Sequence, residues 1–216
     1  MPGQFNPIPM TFKSLFRIFP AALVLASLLL AGCNDATVTG ADKTGKSASA
    51  PVSMAAMAVE AKGFMAGSPM SARTVYVFFD AQCQHCSVLW NEAKPLRAQA
   101  KFVWIPVGII NPSSTSQGAT LLAAPDPVAA MDAHEASLLA RQGGISAQGD
   151  LDAYKASVAK NTELMARFGF ASVPTIIGTH AQTGDMVTQE GSMSTAALAN
   201  LLGLQAPASQ PVSPAN

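Results

Sequence analysis

Hydrophobic residues in the central part of the chain are spaced in two ways, and the two spacings predict a strand followed by a helix. Residues 74–79 are mostly β-branched or aromatic and show no helical period, which predicts a buried strand. From Ser87 to Ala100 the apolar residues recur at helical spacing, which predicts a helix kinked at Pro95. The sequence Cys-Gln-His-Cys, residues 83–86, therefore stands where this helix begins.

Similar patterns predict the end of the folded part of the chain. Residues 175–179 and 185–189 are expected to be two strands joined by a turn, and a helix headed by Ser194 is expected to run to Leu202. We place the folded domain at residues 54–205 and a disordered tail at 206–216.

A different pattern precedes the folded domain. An uncharged, mostly apolar run from residue 18 to 31 follows Lys13 and Arg17; it is short for a bilayer span but suits a secretion signal. It ends in Leu-Ala-Gly-Cys33, which resembles the bacterial lipobox. We expect residues 1–32 to be a lipoprotein signal peptide, Cys33 to carry the lipid anchor, and residues 33–53 to be a flexible tether.

Composition narrows the classes of function. The chain has 216 residues, of which 49% are hydrophobic, so it is long enough for one ordinary domain with its own core. Thirteen basic residues balance thirteen acidic ones, which argues against nucleic acid as a partner. With Cys33 lipidated, Cys83 and Cys86 remain as a pair in an oxidising compartment, where a redox-active Cys83–Cys86 disulfide is the expected unit.

The position of the pair predicts its chemistry. A thiol at a helix N-terminus faces unpaired backbone N–H groups, which favour the thiolate, so Cys83 is the expected nucleophile. Cys86 lies one turn further on the same helix and is the expected resolving thiol. His85 is expected to lower the pKa of Cys83 further; the alternative is a solvent-facing histidine that touches neither sulfur.

Metal binding by the same cysteines is the competing chemistry. A structural zinc needs about four protein ligands, and no second Cys-x-x-Cys or spaced histidines supply them. We predict no metal and no cofactor. A non-catalytic copper-binding or chaperone module, using the two cysteines and nearby methionines, stays open as an alternative of another class.

The segment from Thr74 to Cys86 resembles the active-site segment of thioredoxin-fold oxidoreductases of the DsbC and DsbG disulfide isomerase group. The resemblance continues through residues 104–114, 121–131 and 161–169 and covers about residues 59–203. It implies an α/β, thioredoxin-like fold with a helical insertion, at about residues 114–168, between the Cys-x-x-Cys helix and a later cis-proline loop.

That resemblance also implies roles for three further residues. Val173-Pro174 matches the cis-proline loop, where the backbone of Val173 would pair with an extended substrate beside Cys83. Asp80 matches the acidic residue before the motif, which would accept or relay a proton; the alternative is a turn former.

The resemblance predicts an extracytoplasmic thiol–disulfide oxidoreductase, a reductase or isomerase acting on cysteine-containing proteins, with a membrane reductant of the DsbD type. Val173 and His85 are closer to the oxidase DsbA, so a DsbA-like disulfide oxidase is the alternative. No segment before residue 54 resembles the family's dimerisation domain, so we expect a monomer, held by lipid on the periplasmic side of a bacterial membrane.

Overall fold

The computed structural model describes residues 49–207. The predicted signal peptide, the lipidation site at Cys33, the tether before residue 49 and the tail from residue 208 lie outside the described residues. The described part contains six α-helices and five strands: α1 Met54–Glu60, β1 Phe64–Gly67, β2 Thr74–Asp80, α2 Gln84–Ala93, β3 Lys101–Val107, α3 Pro112–Ala123, α4 Pro127–Leu139, α5 Asp152–Arg167, β4 Thr175–Thr179, β5 Met186–Glu190 and α6 Thr195–Leu202.

The five strands form one mixed sheet in the order β1-β3-β2-β4-β5. β2 is the central strand: it pairs in parallel with β3 and antiparallel with β4. Parallel pairing of β2 and β3 needs a crossover connection, and α2 supplies it. β1 and β5 add antiparallel pairs at the two edges.

The two faces of the sheet bury separate hydrophobic clusters. Val77 and Phe79 of β2 point to a cluster that includes α2 and α6, whereas Tyr76 and Phe78 point to a cluster that includes α1 and α5. Alternate side chains of a strand face opposite sides of the sheet, so a continuous apolar run is what a central strand covered on both faces requires.

The insertion between β3 and β4 consists of α3, α4 and α5, which agrees with the helical insertion expected at residues 114–168. α5 packs on the sheet beside β3, and α4 packs against α2. The insertion therefore does more than lengthen the chain: α4 covers the inner side of the helix that carries the cysteines.

Four features differ from the sequence-based expectations. The helix predicted to bend at Pro95 instead ends at Ala93 and continues as a 3₁₀ turn, Lys94–Leu96, because proline has no N–H for an α-helical bond. The edge strand β1 was not predicted. The strand expected at 185–189 begins and ends one residue later.

The fourth difference concerns the end of the predicted tether. Ala50 donates its backbone N–H to the Arg167 carbonyl at 2.8 Å, and Ala50 and Val52 pack against the cluster beneath α5. Ser53 caps α1 by accepting the N–H of Ala56. The ordered domain therefore begins before residue 54, because these residues find backbone partners and apolar cover. None of the helices described combines the length and hydropathy of a membrane span.

Candidate active site

The two cysteines lie at the start of α2, directly after the central strand β2. Cys83 is the N-cap residue, and its sulfur accepts the backbone N–H of Cys86 at 3.2 Å. Both cysteines are free thiols. Cys86 is fully buried, whereas 5% of Cys83 is accessible, so only Cys83 is open to an approaching disulfide.

The surroundings shift the two thiols in opposite directions. The pKa of Cys83 is lowered chiefly by the hydrogen bond with the Cys86 thiol; burial opposes this, and the backbone N–H groups of Cys86 and His85 add to it. The pKa of Cys86 is raised well above its ordinary value, first by burial and then by the hydrogen bond and charge of Cys83. The surroundings thus move the pKa values of the two thiols apart, with that of Cys83 lowered and that of Cys86 raised.

No hydrogen bond in the described part of the chain supports the predicted role of the His85 imidazole. The side chain is exposed, and within residues 49–207 its ring makes no hydrogen bond. Only its backbone N–H contributes to the lowered pKa of Cys83. The effect of the imidazole on Cys83 stays a prediction.

The loop before β4 faces the cysteines. The Val173–Pro174 peptide bond is cis, as the resemblance implied. The Cys83 thiol lies 3.5 Å from the Val173 carbonyl oxygen, which it can reach as a donor. On the far side of the loop, the Gly191 N–H donates to the Pro174 carbonyl at 2.8 Å, which ties the loop to the end of β5.

Asp80, at the end of β2, is buried and its carboxylate is occupied. One oxygen accepts the N–H of Gln82 at 2.8 Å, and the other accepts those of Ile109 and Ile110 at 2.8 and 3.0 Å. These bonds hold the turn before Cys83 against the loop after β3, as the turn-forming alternative predicts. A proton-relay role for Asp80 stays a prediction.

Two buried polar residues of α4, which sequence reasoning missed, lie behind the motif. The Nε2–H of His134 donates to the Ala81 carbonyl at 2.6 Å, and its Nδ1 accepts the N–H of Ile145 at 3.0 Å. This pair of bonds requires the neutral ring, and burial lowers the pKa of His134.

Glu135 is the second of these buried polar residues of α4. Its Oε2 accepts the hydroxyl of Ser87, the residue after Cys86, while its Oε1 is buried and has no hydrogen-bond partner within the described part of the chain. Burial raises the pKa of Glu135 to about 7, against the opposing effects of Ser87 and Lys94. The signal for Glu135 was its helical spacing: it follows Met131 by four residues and precedes Leu138 by three, which places a carboxylate on the buried face of α4.

The side chain of Gln117 is a third polar group here, and it links the helical insertion to the turn at residues 81–82. Gln117 of α3 bonds the side chain of Gln82 and donates to the carbonyls of Gly143 and Ile145, both at 2.8 Å. The loop after α4 is therefore fixed to the turn that precedes Cys83. Between residues 49 and 207, no group of three or more His, Cys, Asp or Glu side chains is placed to hold a metal ion.

Comparison with known proteins gives both a sequence relative and structural neighbours. No protein-family model matches the chain. The chain is 35% identical over 143 residues to the thiol:disulfide interchange protein DsbG of Pseudomonas aeruginosa, a match that covers 63% of this chain and 54% of that protein. The chain thus spans about half the length of this relative.

Two solved structures have similar folds at low sequence identity. A disulfide interchange protein from Neisseria gonorrhoeae has a TM-score of 0.51 at 22% identity and covers 66% of this chain and 94% of that chain. A periplasmic thioredoxin-like protein from Salmonella enterica serovar Typhimurium has a TM-score of 0.53 at 14% identity, covering 69% and 92%. The predicted α/β, thioredoxin-like fold is confirmed, and in sequence the chain is a homologue of DsbG.

Proposed function

We propose that the protein is an extracytoplasmic thiol–disulfide oxidoreductase of the reductase and isomerase kind, with Cys83 as nucleophile and Cys86 as resolving thiol. The Cys83 thiolate attacks a disulfide of a substrate protein, forming a mixed disulfide and releasing one substrate thiolate. Cys86 then attacks Cys83, which releases the second substrate thiol and leaves a Cys83–Cys86 disulfide. In isomerisation, a different cysteine thiolate of the substrate attacks the substrate sulfur of the mixed disulfide, which forms a new substrate disulfide and releases Cys83 as a thiolate.

One observation carries this proposal: a slightly exposed cysteine with a lowered pKa caps α2, and a fully buried cysteine with a raised pKa lies in its first turn. Exchange requires this difference in pKa, because the attacking thiol must be ionised, whereas the resolving thiol must stay protonated until the mixed disulfide has formed. The homology to DsbG supports interchange over the DsbA-like oxidase alternative.

The substrate is proposed to be an extended, cysteine-containing segment of an extracytoplasmic protein. The Val173 carbonyl lies beside Cys83, where it can accept an N–H of an extended chain in the manner of an added strand. Ile109 and Ile110 are 42% and 48% exposed on the loop that Asp80 holds, and they offer apolar contacts to such a segment.

The proposal is tested by turnover and by trapping. Reduced full-length protein should speed recovery of a scrambled, disulfide-bonded substrate, and Cys83→Ala should abolish this. Cys86→Ala should accumulate mixed disulfides through Cys83, because no resolving thiol frees them. A Cys83→Ala protein as active as the parent, or a Cys86→Ala protein that forms no mixed disulfides, would exclude this function.

We further propose a lipid anchor at Cys33 on the periplasmic side of a bacterial membrane. The lipobox supports the anchor, and the fold shared with a periplasmic protein of Salmonella supports the compartment. Cys33→Ser should move the protein from the membrane to the soluble fraction or stop its processing, as read by fractionation and gel mobility. A Cys33→Ser protein that remains wholly with membranes at the parent's size would contradict the anchor.

The proposed redox partner is a membrane reductant of the DsbD type, because a reductase or isomerase must be kept reduced in an oxidising compartment. We also propose that this chain is a monomer, since the composition of residues 34–48 does not suit a packed dimerisation domain. Sedimentation of the lipid-free Cys33→Ser chain tests this, and a stable dimer would refute it.

A further inference from the structure

We propose that Glu135 takes the proton of Cys86 when Cys86 resolves the mixed disulfide, and that the Ser87 hydroxyl holds the carboxylate in place for this transfer. The inference deepens the proposed function and rests on it. It assigns a residue of the helical insertion to the second half of the exchange.

The contacts that carry the inference lie between α2 and α4. Ser87 follows Cys86 in the first turn of α2 and donates its hydroxyl to Oε2 of Glu135. Both Cys86 and Glu135 are buried, and Oε1 of Glu135 is without a hydrogen-bond partner within the described part of the chain. A buried, unpaired carboxylate oxygen is costly, and Glu135 is hydrogen-bonded to the residue that directly follows the buried Cys86.

The other side chains of this region that could accept a proton are already occupied by hydrogen bonds or an ion pair. The Asp80 carboxylate accepts three backbone N–H groups, and both ring nitrogens of His134 are bonded to backbone. Lys94 pairs with Asp132, which also accepts the indole N–H of Trp90.

The remaining titratable side chains on the elements that pack on α4 belong to α2. His85 is exposed, and the Glu92 carboxylate accepts the N–H and hydroxyl of Thr195, while α3 and β1 contain no titratable residue. Among the residues described, Glu135 is therefore the buried group here with a free acceptor oxygen. Its charge contributes to the raised pKa of Cys86, which places it within electrostatic reach of that thiol.

The step balances as a proton transfer joined to a thiol–disulfide exchange. Cys86 gives its proton to the Glu135 carboxylate, and the resulting thiolate attacks the Cys83 sulfur. The Cys83–Cys86 bond forms as the bond between Cys83 and the substrate sulfur breaks, and the substrate leaves as a thiolate. The two cysteines lose two electrons to the substrate disulfide, and Glu135 then returns its proton to the leaving thiolate or to water.

The pKa of Glu135, raised to about 7, suits this exchange, because a group that titrates near the working pH both accepts and returns a proton. Lys94 and Ser87 oppose the rise caused by burial, so the carboxylate is partly ionised near neutrality.

The test separates the two halves of the reaction with an aromatic disulfide, 5,5′-dithiobis(2-nitrobenzoate). In the full chain carrying Cys33→Ser, attack by Cys83 releases one coloured thiolate and resolution by Cys86 releases a second. Stopped-flow absorbance follows both phases, and Cys86→Ala identifies the second phase by removing it. Glu163→Gln, the same chemical change on the exposed side of α5, is the matched control.

We expect Glu135→Gln to slow the second phase on the order of a hundredfold near pH 7 while leaving the first phase unchanged. In the parent, the second-phase rate should rise with pH through an inflection near 7, and Glu135→Gln should lose this inflection. Ser87→Ala should move the inflection upward, because the hydroxyl lowers the pKa of Glu135. A merely structural role would change the rates without moving the inflection.

The outcomes are distinguishable. An unchanged second phase, or an inflection that persists in Glu135→Gln, would overturn the role of Glu135 and leave the proposed function standing. A parent that releases a single thiolate would overturn both. If Glu135→Gln does not fold, as judged by its melting curve, Ser87→Ala decides: an unmoved inflection counts against the proposal.

Discussion

Cys83 and Cys86 show how the start of a helix gives two identical residues different chemistry. Cys83 stands outside the helix as its cap and receives a backbone N–H, whereas Cys86 lies inside the first turn and is fully buried. A negative charge is favoured at the first position by hydrogen bonds and disfavoured at the second by burial. The difference in pKa follows from three residues of separation.

The first prediction concerns the pKa of Cys83. Cys86→Ala should raise it, because the hydrogen bond from the Cys86 thiol is the largest cause of its lowered value. His85→Ala should raise it less, since the exposed imidazole makes no hydrogen bond in the described residues. Ultraviolet thiolate absorbance against pH, in the reduced Cys33→Ser chain, measures both.

Cys83→Ala is the control for this titration: the pKa of its remaining thiol, Cys86, should stay above the ordinary value for a thiol because Cys86 is buried, although the effects of Cys83 are lost. If His85→Ala raised the pKa of Cys83 more than Cys86→Ala does, the charge of the imidazole rather than the helix start would dominate the active site.

At the scale of elements, the site is assembled by loops that fasten strand ends to one another. Asp80 joins the turn after β2 to the loop after β3, and Glu190 at the end of β5 accepts the N–H and hydroxyl of Ser172 in the cis-proline loop. The sulfur of Cys83 and the carbonyl of Val173 meet only if both loops are held.

Asp80→Ala should therefore destabilise the protein strongly. Removing the carboxylate leaves backbone N–H groups of Gln82, Ile109 and Ile110 without their acceptor, which we expect to cost about 3 kcal/mol. Asp185→Ala, an exposed residue of the turn before β5, is the control and should change the free energy of unfolding by less than about 0.5 kcal/mol. Denaturant unfolding compares the two, and equal effects would contradict the clamping role of Asp80.

Elements with a strong local signal were predicted well from the sequence. β2, β4 and the Ser194-capped helix α6 carry their own hydrophobic pattern or cap, and the structure has them within a residue of the expected bounds. β1 was missed because its four residues, Phe-Met-Ala-Gly, form a strand only by pairing with β3.

The same distinction separates the predicted from the missed parts of the site. The Cys-x-x-Cys spacing and the proline loop are local motifs, so the cysteines and Pro174 could be found in the sequence. Helical spacing places Glu135 on the buried face of α4, but its contact with Ser87, 48 residues earlier in the chain, follows only from the packing of α4 on α2. Pairing across such separations is tertiary information.

At the scale of the whole molecule, the helical insertion is part of the active site rather than an addition to it. α4 covers the buried side of α2 and brings Glu135 and His134 under the motif, while the loop after it is held by Gln117. Both buried groups titrate differently in the folded and unfolded chain, so the insertion makes the stability of the protein depend on pH.

The last prediction is the sign of that dependence. Glu135 binds its proton more tightly when folded, so it favours folding fully below its ordinary pKa of 4.5, and this contribution is lost as pH rises through about 7. The difference between these two pKa values of Glu135 corresponds to about 3 kcal/mol of folding free energy. His134, whose pKa is lowered from 6.5 by burial, acts in the opposite sense: its contribution is present above 6.5 and is lost as pH falls.

Glu135→Gln retains His134, so the difference in unfolding free energy between parent and variant isolates Glu135. We expect that difference to fall by about 3 kcal/mol between pH 4.5 and a pH above 7, measured by denaturant unfolding, with Glu163→Gln following the parent throughout. Parallel curves for the parent and Glu135→Gln would show that the carboxyl titrates normally in the folded protein, and its place as a proton acceptor for Cys86 would lose its physical basis.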